Sequence, residues 1–240
     1  MIEIRHLHSL DEMNRLLAVA DRVWGITPGG MVGADYLIAL EHAGGYVAGA
    51  FDAASDQMVA ASFGMLSRHA EQWCLHSHIT GVVPELQGTG LGRRMKFHQR
   101  DWARANGLAA ITWTFDPLVR RNAWFNLRVL GAVGVEYLEN FYGPLNDDIN
   151  GSDDSDRLLA RWSTEAGHES DPHRDPDEAL RSVTVELPDD IVALRRADPD
   201  AARRWRRALR DELAPLLRTH VVVDVDSRGH LVLRPRNDHA

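Results

Sequence analysis

The sequence predicts an α+β domain with a mixed, mostly antiparallel central sheet. Three observations lead there. Residues 45–52 and 58–67 are two apolar strands joined by a short polar turn, and they read as a hairpin. A further strand over 73–83 runs through a glycine-rich turn into an amphipathic helix over 89–106. A strand (110–115), a helix (119–130) and two more strands (133–142 and 156–163) then close the domain.

In chain order, residues 2–6 alternate and form a first strand. Ser9 with Glu12 is a capping-box pattern, and Leu10, Met13, Leu16, Leu17, Ala20 and Val23 follow at helical spacing. Residues 27–33 (TPGGMVG) form a turn, and 34–42 a short helix before the hairpin. On the helix over 89–106, Leu91, Met95, His98, Trp102 and Ala105 share one face, and Gly107 stops it. Residues 164–179 hold no large apolar side chain and read as a linker. Beyond it lie a strand (182–187), a helix (198–217) and a hairpin (221–226 with 230–234). This predicts a main domain over 1–163, a linker over 164–179 and a small extension over 180–240. The extension is too small for an independent core, so it packs on the main domain or on a partner subunit, as in a homodimer.

Lys and Arg number 27 against 35 Asp and Glu, for a net charge of −8, which argues against a nucleic-acid partner. The single cysteine, Cys74, excludes an internal disulfide framework and fits a reducing cytoplasm. No run approaches the roughly 18 apolar residues of a spanning helix, so no membrane partner is expected.

The chemistry concentrates in Val82-Val83-Pro84-Glu85-Leu86-Gln87-Gly88-Thr89-Gly90-Leu91-Gly92-Arg93-Arg94. The first N–H groups of a helix have no internal acceptor, and the helix dipole is positive there. Glycines let a backbone approach an anion closely, so the segment reads as a phosphate nest with Arg93 and Arg94 adding positive charge. A P-loop would need Gly-x4-Gly-Lys-Ser/Thr, which is missing. The spacing G-x-G-x-G also departs from the dinucleotide fingerprint G-x-G-x-x-G. A coenzyme A pyrophosphate is the remaining reading.

Gln87-x-x-Gly90-x-Gly92, preceded by Val82 and Pro84, resembles the Q/R-x-x-G-x-G/A signature of the GNAT superfamily of N-acetyltransferases. The order of elements over 1–163 resembles that fold too, which implies a three-layer α/β/α arrangement with helices on both faces of the sheet. The resemblance implies that Val82, Val83, Gln87, Gly88, Thr89, Gly90, Leu91, Gly92, Arg93 and Asn122 bind acetyl-CoA or another acyl-CoA as co-substrate, with no metal. A narrower resemblance lies in SHITGVVPELQGTGLGRRMKFHQRDWA, WTFDPLVRRNAWFNLRVLG and FYGPLNDDINGSDDSDRL. These blocks are similar to a bacterial acyltransferase subgroup linked to N-acylation and N-succinylation of amino acids, which implies a small-molecule amine acceptor. The rival readings are a protein lysine or N-terminal acetyltransferase and a CoA-binding sensor without catalysis.

Acyl transfer needs an amine freed of its proton, hence a base with a pKa near neutrality. His76 and His78 stand two apart on the strand before the loop, on one face. Their placement resembles the paired histidines of arylalkylamine N-acetyltransferases. His78, nearer the thioester, is the expected base and His76 its relay. The family's usual general acid, a tyrosine near position 127, is replaced here by Leu127. Asn126 and Tyr142 (or Tyr137) are the alternatives, with water. Asp116 either meets substrate or caps the following turn. Arg157 either pairs with a substrate carboxylate or with Asp153 or Asp156. Arg203, Arg204, Arg206, Arg207 and Arg210 read as a solvated helix face.

Overall fold

A computed structural model describes residues 1–25, 32–143, 153–165 and 182–236. The turn at 27–33 and the loop before Asp156 lie partly outside these residues, and the linker over 164–179 almost wholly so. The chain divides into two compact units, Met1–Thr112 and Trp113–Ala240. The boundary therefore falls inside a strand, not at the compositional break after 163.

The first unit holds β1 (Ile2–His6), α1 (Leu10–Trp24), α2 (Ala34–His42), β2 (Tyr46–Asp52), β3 (Gln57–His69), β4 (Gln72–Val82), α3 (Leu91–Ala105) and the first half of β5 (Ala110–Phe115). The strands β1 to β4 pair in sequence order and antiparallel. β4 then pairs parallel with β5 over Cys74↔Ala110, Leu75↔Ile111 and His76↔Thr112. α1 starts where the capping box places it: Ser9 Oγ accepts from Glu12 N, and the Glu12 carboxylate accepts from Ser9 N. Its apolar stripe, Met13, Leu16 and Val19, packs with Leu37, Val47, Phe51, Phe63 and Met95 in one buried core.

The second unit continues from the end of β5 through α4 (Arg120–Ala123, prolonged by a π-helical turn Trp124–Val129), β6 (Val133–Leu138), β7 (Arg157–Ser163), β8 (Val183–Val185), α5 (Ile191–Ala197), α6 (Pro199–Leu216), β9 (His220–Val225) and β10 (Leu231–Pro235). Its strand order is β5-β7-β6-β9-β10-β8. The pairings β6–β7, β6–β9, β9–β10 and β10–β8 are antiparallel. The C-terminal segment thus extends the sheet of this unit, as Gly134↔Val222 shows. The sequence reading missed α5, seven residues started by Asp190, whose side chain accepts from Ala193 N. No helix among the described residues is long and apolar enough to cross a membrane.

Asp116 shows what holds the second unit together. It is 6% exposed and lies between two arginines of the C-terminal helices. Arg206 donates to both its oxygens at 2.8 Å, and Arg195 donates to Oδ2 at 2.6 Å. Arg206 Nε also donates to Asp153 Oδ2 at 3.2 Å. The solvated-face expectation fails here, because Arg206 sits in the buried stripe Ala202-Arg206-Leu209-Leu213 of α6. Arg210 departs from it too, pairing with Glu139, Asp154 and Asp156. Arg203 and Arg204 do face solvent, with side chains 42% and 62% exposed.

Candidate active site

The loop between β4 and α3 is exposed from Gln87 to Gly90. Gly88 and Gly90 have φ of +78° and +86°, a conformation that other residues adopt at a cost, while a Cβ at either would meet open space. Backbone conformation, not crowding, requires glycine there. α3 begins at Gly90 without a side-chain cap and with no acidic residue in its first turn. Among the described residues, none of the backbone N–H groups from Gly88 to Arg93 donates to a protein acceptor. This is a positive row of donors with no protein acceptor at a helix start. Arg93 lies over the Phe97 ring at 4.4 Å, and Arg94 donates to Ile2 O at 2.8 Å.

Two expected contributors are engaged elsewhere. Val83 N donates to Val59 O at 3.0 Å, so its N–H is not open to a ligand. Gln87 turns inward: Nε2 donates to Val82 O at 3.1 Å and its backbone N to Pro84 O at 3.3 Å. The signature glutamine therefore braces the loop. The side chains of Val82, Val83 and Leu91 are buried, which leaves only backbone for a ligand.

β4 carries a bulge. The register passes from Ser77↔Gly64 to Ile79↔Phe63 and leaves His78 as the extra residue. Its ring centroid lies 5.3 Å from that of Phe63. The bulge also puts Ser77 and Thr80, three apart, beside each other. They join a closed polar ring. Lys96 Nζ donates to Ser77 Oγ (2.9 Å) and Gln99 Oε1 (3.2 Å), Gln99 Nε2 donates to Ser62 Oγ (3.2 Å), and Ser62 Oγ meets Thr80 Oγ1 (2.8 Å). His76 Nδ1 lies 3.2 Å from Thr112 Oγ1. Beyond His76, β4 has no parallel pairing among the described residues.

The histidines are not at their free-solution basicity. Burial pushes His76 down to about 4, with repulsion from His78 and Lys96 adding to it. Burial also lowers His78. Both imidazoles are therefore neutral at neutral pH and able to accept a proton, but His76 is a weak base. Burial pushes Lys96 down to about 7. A lowered lysine costs stability as pH falls, because the unfolded chain binds the proton and the folded chain resists it. The wild type should gain about 3 kcal/mol relative to Lys96→Met between pH 7 and pH 9.5, read by urea unfolding at both values. An unchanged difference would refute a buried, depressed Lys96.

The remaining expected residues lie in the second unit. Asn126 is buried in the π-helical turn, where Oδ1 accepts from Trp113 Nε1 at 3.1 Å. Such turns recur at functional sites. Asn122 is half-buried on α4. Tyr142 is 40% exposed, and its hydroxyl meets Thr114 Oγ1 at 3.0 Å. Tyr137 donates to Asp156 Oδ2 at 2.6 Å, and burial plus that carboxylate raises its pKa further from use as an acid. Asp116 caps the turn by accepting from Leu118 N, and its two arginines make it a structural anion, not an open substrate ligand. Arg157 is 7% exposed; it donates to Asp156 O at 3.0 Å and lies over the Tyr142 ring at 5.6 Å.

No family profile matches this sequence, and no curated protein matches it in sequence. Solved structures do match in fold. A GNAT-family protein from Desulfovibrio desulfuricans is 19% identical, with a TM-score of 0.53 over 69% of this chain and all of the other. The ribosomal-protein-S5-alanine acetyltransferase of Vibrio fischeri is 16% identical, with a TM-score of 0.54 over 69% of this chain and 94% of the other. The NatC complex bound to Gag peptide and CoA contains a chain 12% identical, with a TM-score of 0.50 over 68% of this chain and 98% of the other. The chain has the GNAT acetyltransferase fold. This chain carries two histidines on β4, His76 and His78, and its second unit ends in two helices and two strands after β8.

Proposed function

We propose that the protein is an acyl-CoA-dependent N-acyltransferase that moves an acetyl or succinyl-type group to a primary amine, a small molecule such as an amino acid. The observation that carries this reading is the run Gly88–Arg93, whose N–H groups donate to no protein acceptor at an uncapped helix start. It suits the pyrophosphate of CoA, and the part of β4 beyond His76, which has no parallel pairing among the described residues, suits an extended pantetheine arm. The fold is that of acetyltransferases, one of which was crystallised with CoA.

His78 is the proposed base. It is neutral at neutral pH and re-aimed by the bulge, whereas His76 is more strongly depressed and already within reach of Thr112. The amine attacks the thioester carbonyl, its proton passes to His78 directly or through water, and the thiolate leaves. Asn126 Nδ2 or Tyr142 then remains as the proposed partner for the thiolate. A peptide N-terminus is the second reading, favoured by the fold's occurrence in the S5-alanine acetyltransferase and in NatC with its peptide.

Steady-state turnover with acetyl-CoA and succinyl-CoA against a panel of amino acids, amines and peptide N-termini tests this. His78→Ala should lower kcat about 10²–10⁴-fold. The histidine limb of kcat against pH should lie below 6.5, the ordinary histidine value, because burial holds the folded pKa down. CoA binding without turnover of any acceptor would leave a CoA-binding sensor and end the catalytic reading.

A further inference from the structure

Within the second unit, α4 and the β9–β10 hairpin enclose an open cleft of about 890 Å³. Its lining counts five arginines against two aspartates, in a chain whose net charge is −8. Each aspartate has one oxygen engaged, while Asp224 Oδ1 is buried with no hydrogen-bond partner among the described residues. Asp224 Oδ2 accepts from Arg128 at 3.1 Å, and Asp226 Oδ1 accepts from the backbone N–H groups of Arg228 and His230. Arg120 is held by Asp189 and Leu187 O. Gly229, with φ of +84°, lets that side chain lie against the hairpin turn, where a Cβ would come within 2.9 Å of it.

Arg121 and Arg228 are different. They reach the cleft from separate elements, both are exposed, and neither guanidinium has a hydrogen bond or ion pair among the described residues. Between them the lining offers Trp124, which is 51% exposed, with Val225 and Val232. An exposed indole beside arginines whose N–H donors are open presents a flat apolar face next to positive charge, although the Asp226 carboxylate lies close enough to Arg228 to feel its charge. One carboxylate is satisfied by a single guanidinium fork, whereas a phosphate has three oxygens to share between two. The cleft's size suits a ligand larger than a simple aryl acid.

We propose that this cleft is a second small-molecule site, which binds a nucleoside monophosphate with its ring on Trp124 and its phosphate between Arg121 and Arg228. It is built from the second unit alone and does not depend on the CoA reading of the Gln87–Gly92 loop.

Isothermal titration of the full chain with adenosine 5′-monophosphate, adenosine and inorganic phosphate tests it. The monophosphate should bind at one site at least 10-fold more tightly than either fragment. Arg121→Gln with Arg228→Gln should weaken it at least 10-fold, and Trp124→Leu at least 5-fold. All three residues are exposed, so an unchanged unfolding midpoint will verify the fold of the variants. Gly90→Val, in the other loop, should leave this binding unchanged. Equal affinity in the arginine double variant would overturn the proposal, as would loss of binding in Gly90→Val. A parallel loss of CoA affinity in the double variant would also overturn it, by making the cleft a subsite of the donor.

Discussion

Asp116→Ala is expected to lower the stability of the protein by about 3–5 kcal/mol, because it leaves buried guanidinium charge without its main counter-ion. Arg206 has a side chain only 2% exposed and donates to both Asp116 oxygens, and Arg195 at 7% exposure adds a third bond. Asp153 remains as a partial partner, 3.2 Å from Arg206, so the loss is not that of an isolated charge. Urea unfolding at neutral pH measures it. Asp116→Asn should recover little, since the amide keeps the shape without the charge. The arginines hold the Asp116 carboxyl well below the usual carboxylate range. Its folded pKa is depressed, so its contribution is fully present above the ordinary value near 3.9 and is lost only as pH falls below it. A change under 1 kcal/mol in Asp116→Ala would mean that the cluster does not hold the second unit together.

Gly90→Val should weaken acetyl-CoA binding on the order of 100-fold, about 2.7 kcal/mol. Gly90 has φ of +86°, a conformation that a β-branched residue resists, and its N–H lies in the middle of the open donor row. A Cβ there meets no protein atom within 4 Å, so crowding against the protein is not the cause and the effect should appear in ligand affinity beyond the strain that Gly107→Val also carries. Gly107→Val is the matched control. It has φ of +70° and equally open space, but it lies after α3, at the other end from the donor row. It should lose some stability and keep its CoA affinity, both read by titration calorimetry and thermal unfolding. Comparable affinity losses in the two variants would assign the effect to general strain and remove the loop from the proposed donor site.

Local rules made the loop and much of the fold legible. Ser9 and Glu12 announce α1 through a contact three residues long, and glycines at 88 and 90 announce a turn that only a left-handed backbone can make. β5 has the limits that its apolar run predicts, Ala110–Phe115. Arg206 and Arg210 of α6 depart from a solvated face because their partners lie far along the chain. Arg206 pairs with Asp116, 90 positions away. The spacing Ala202-Arg206-Leu209-Leu213 did carry a signal, since it puts an arginine in a buried stripe. What neutralises it there could not be read from periodicity.

The same divide runs through the candidate site. A glycine turn that opens α3, and two histidines before it on one strand, follow from residue order alone, because backbone conformation and strand alternation are local properties. Which donors are open and which groups are basic depends on the packed chain. Val83 N–H is closed by Val59 O, Gln87 turns in to Val82 O, and the bulge against Phe63 sets His78 apart from its neighbours. Burial then moves His76 and Lys96 away from their ordinary pKa values. Register, burial and the choice of hydrogen-bond partner depend on residues distant in sequence, and the packed chain alone brings those together.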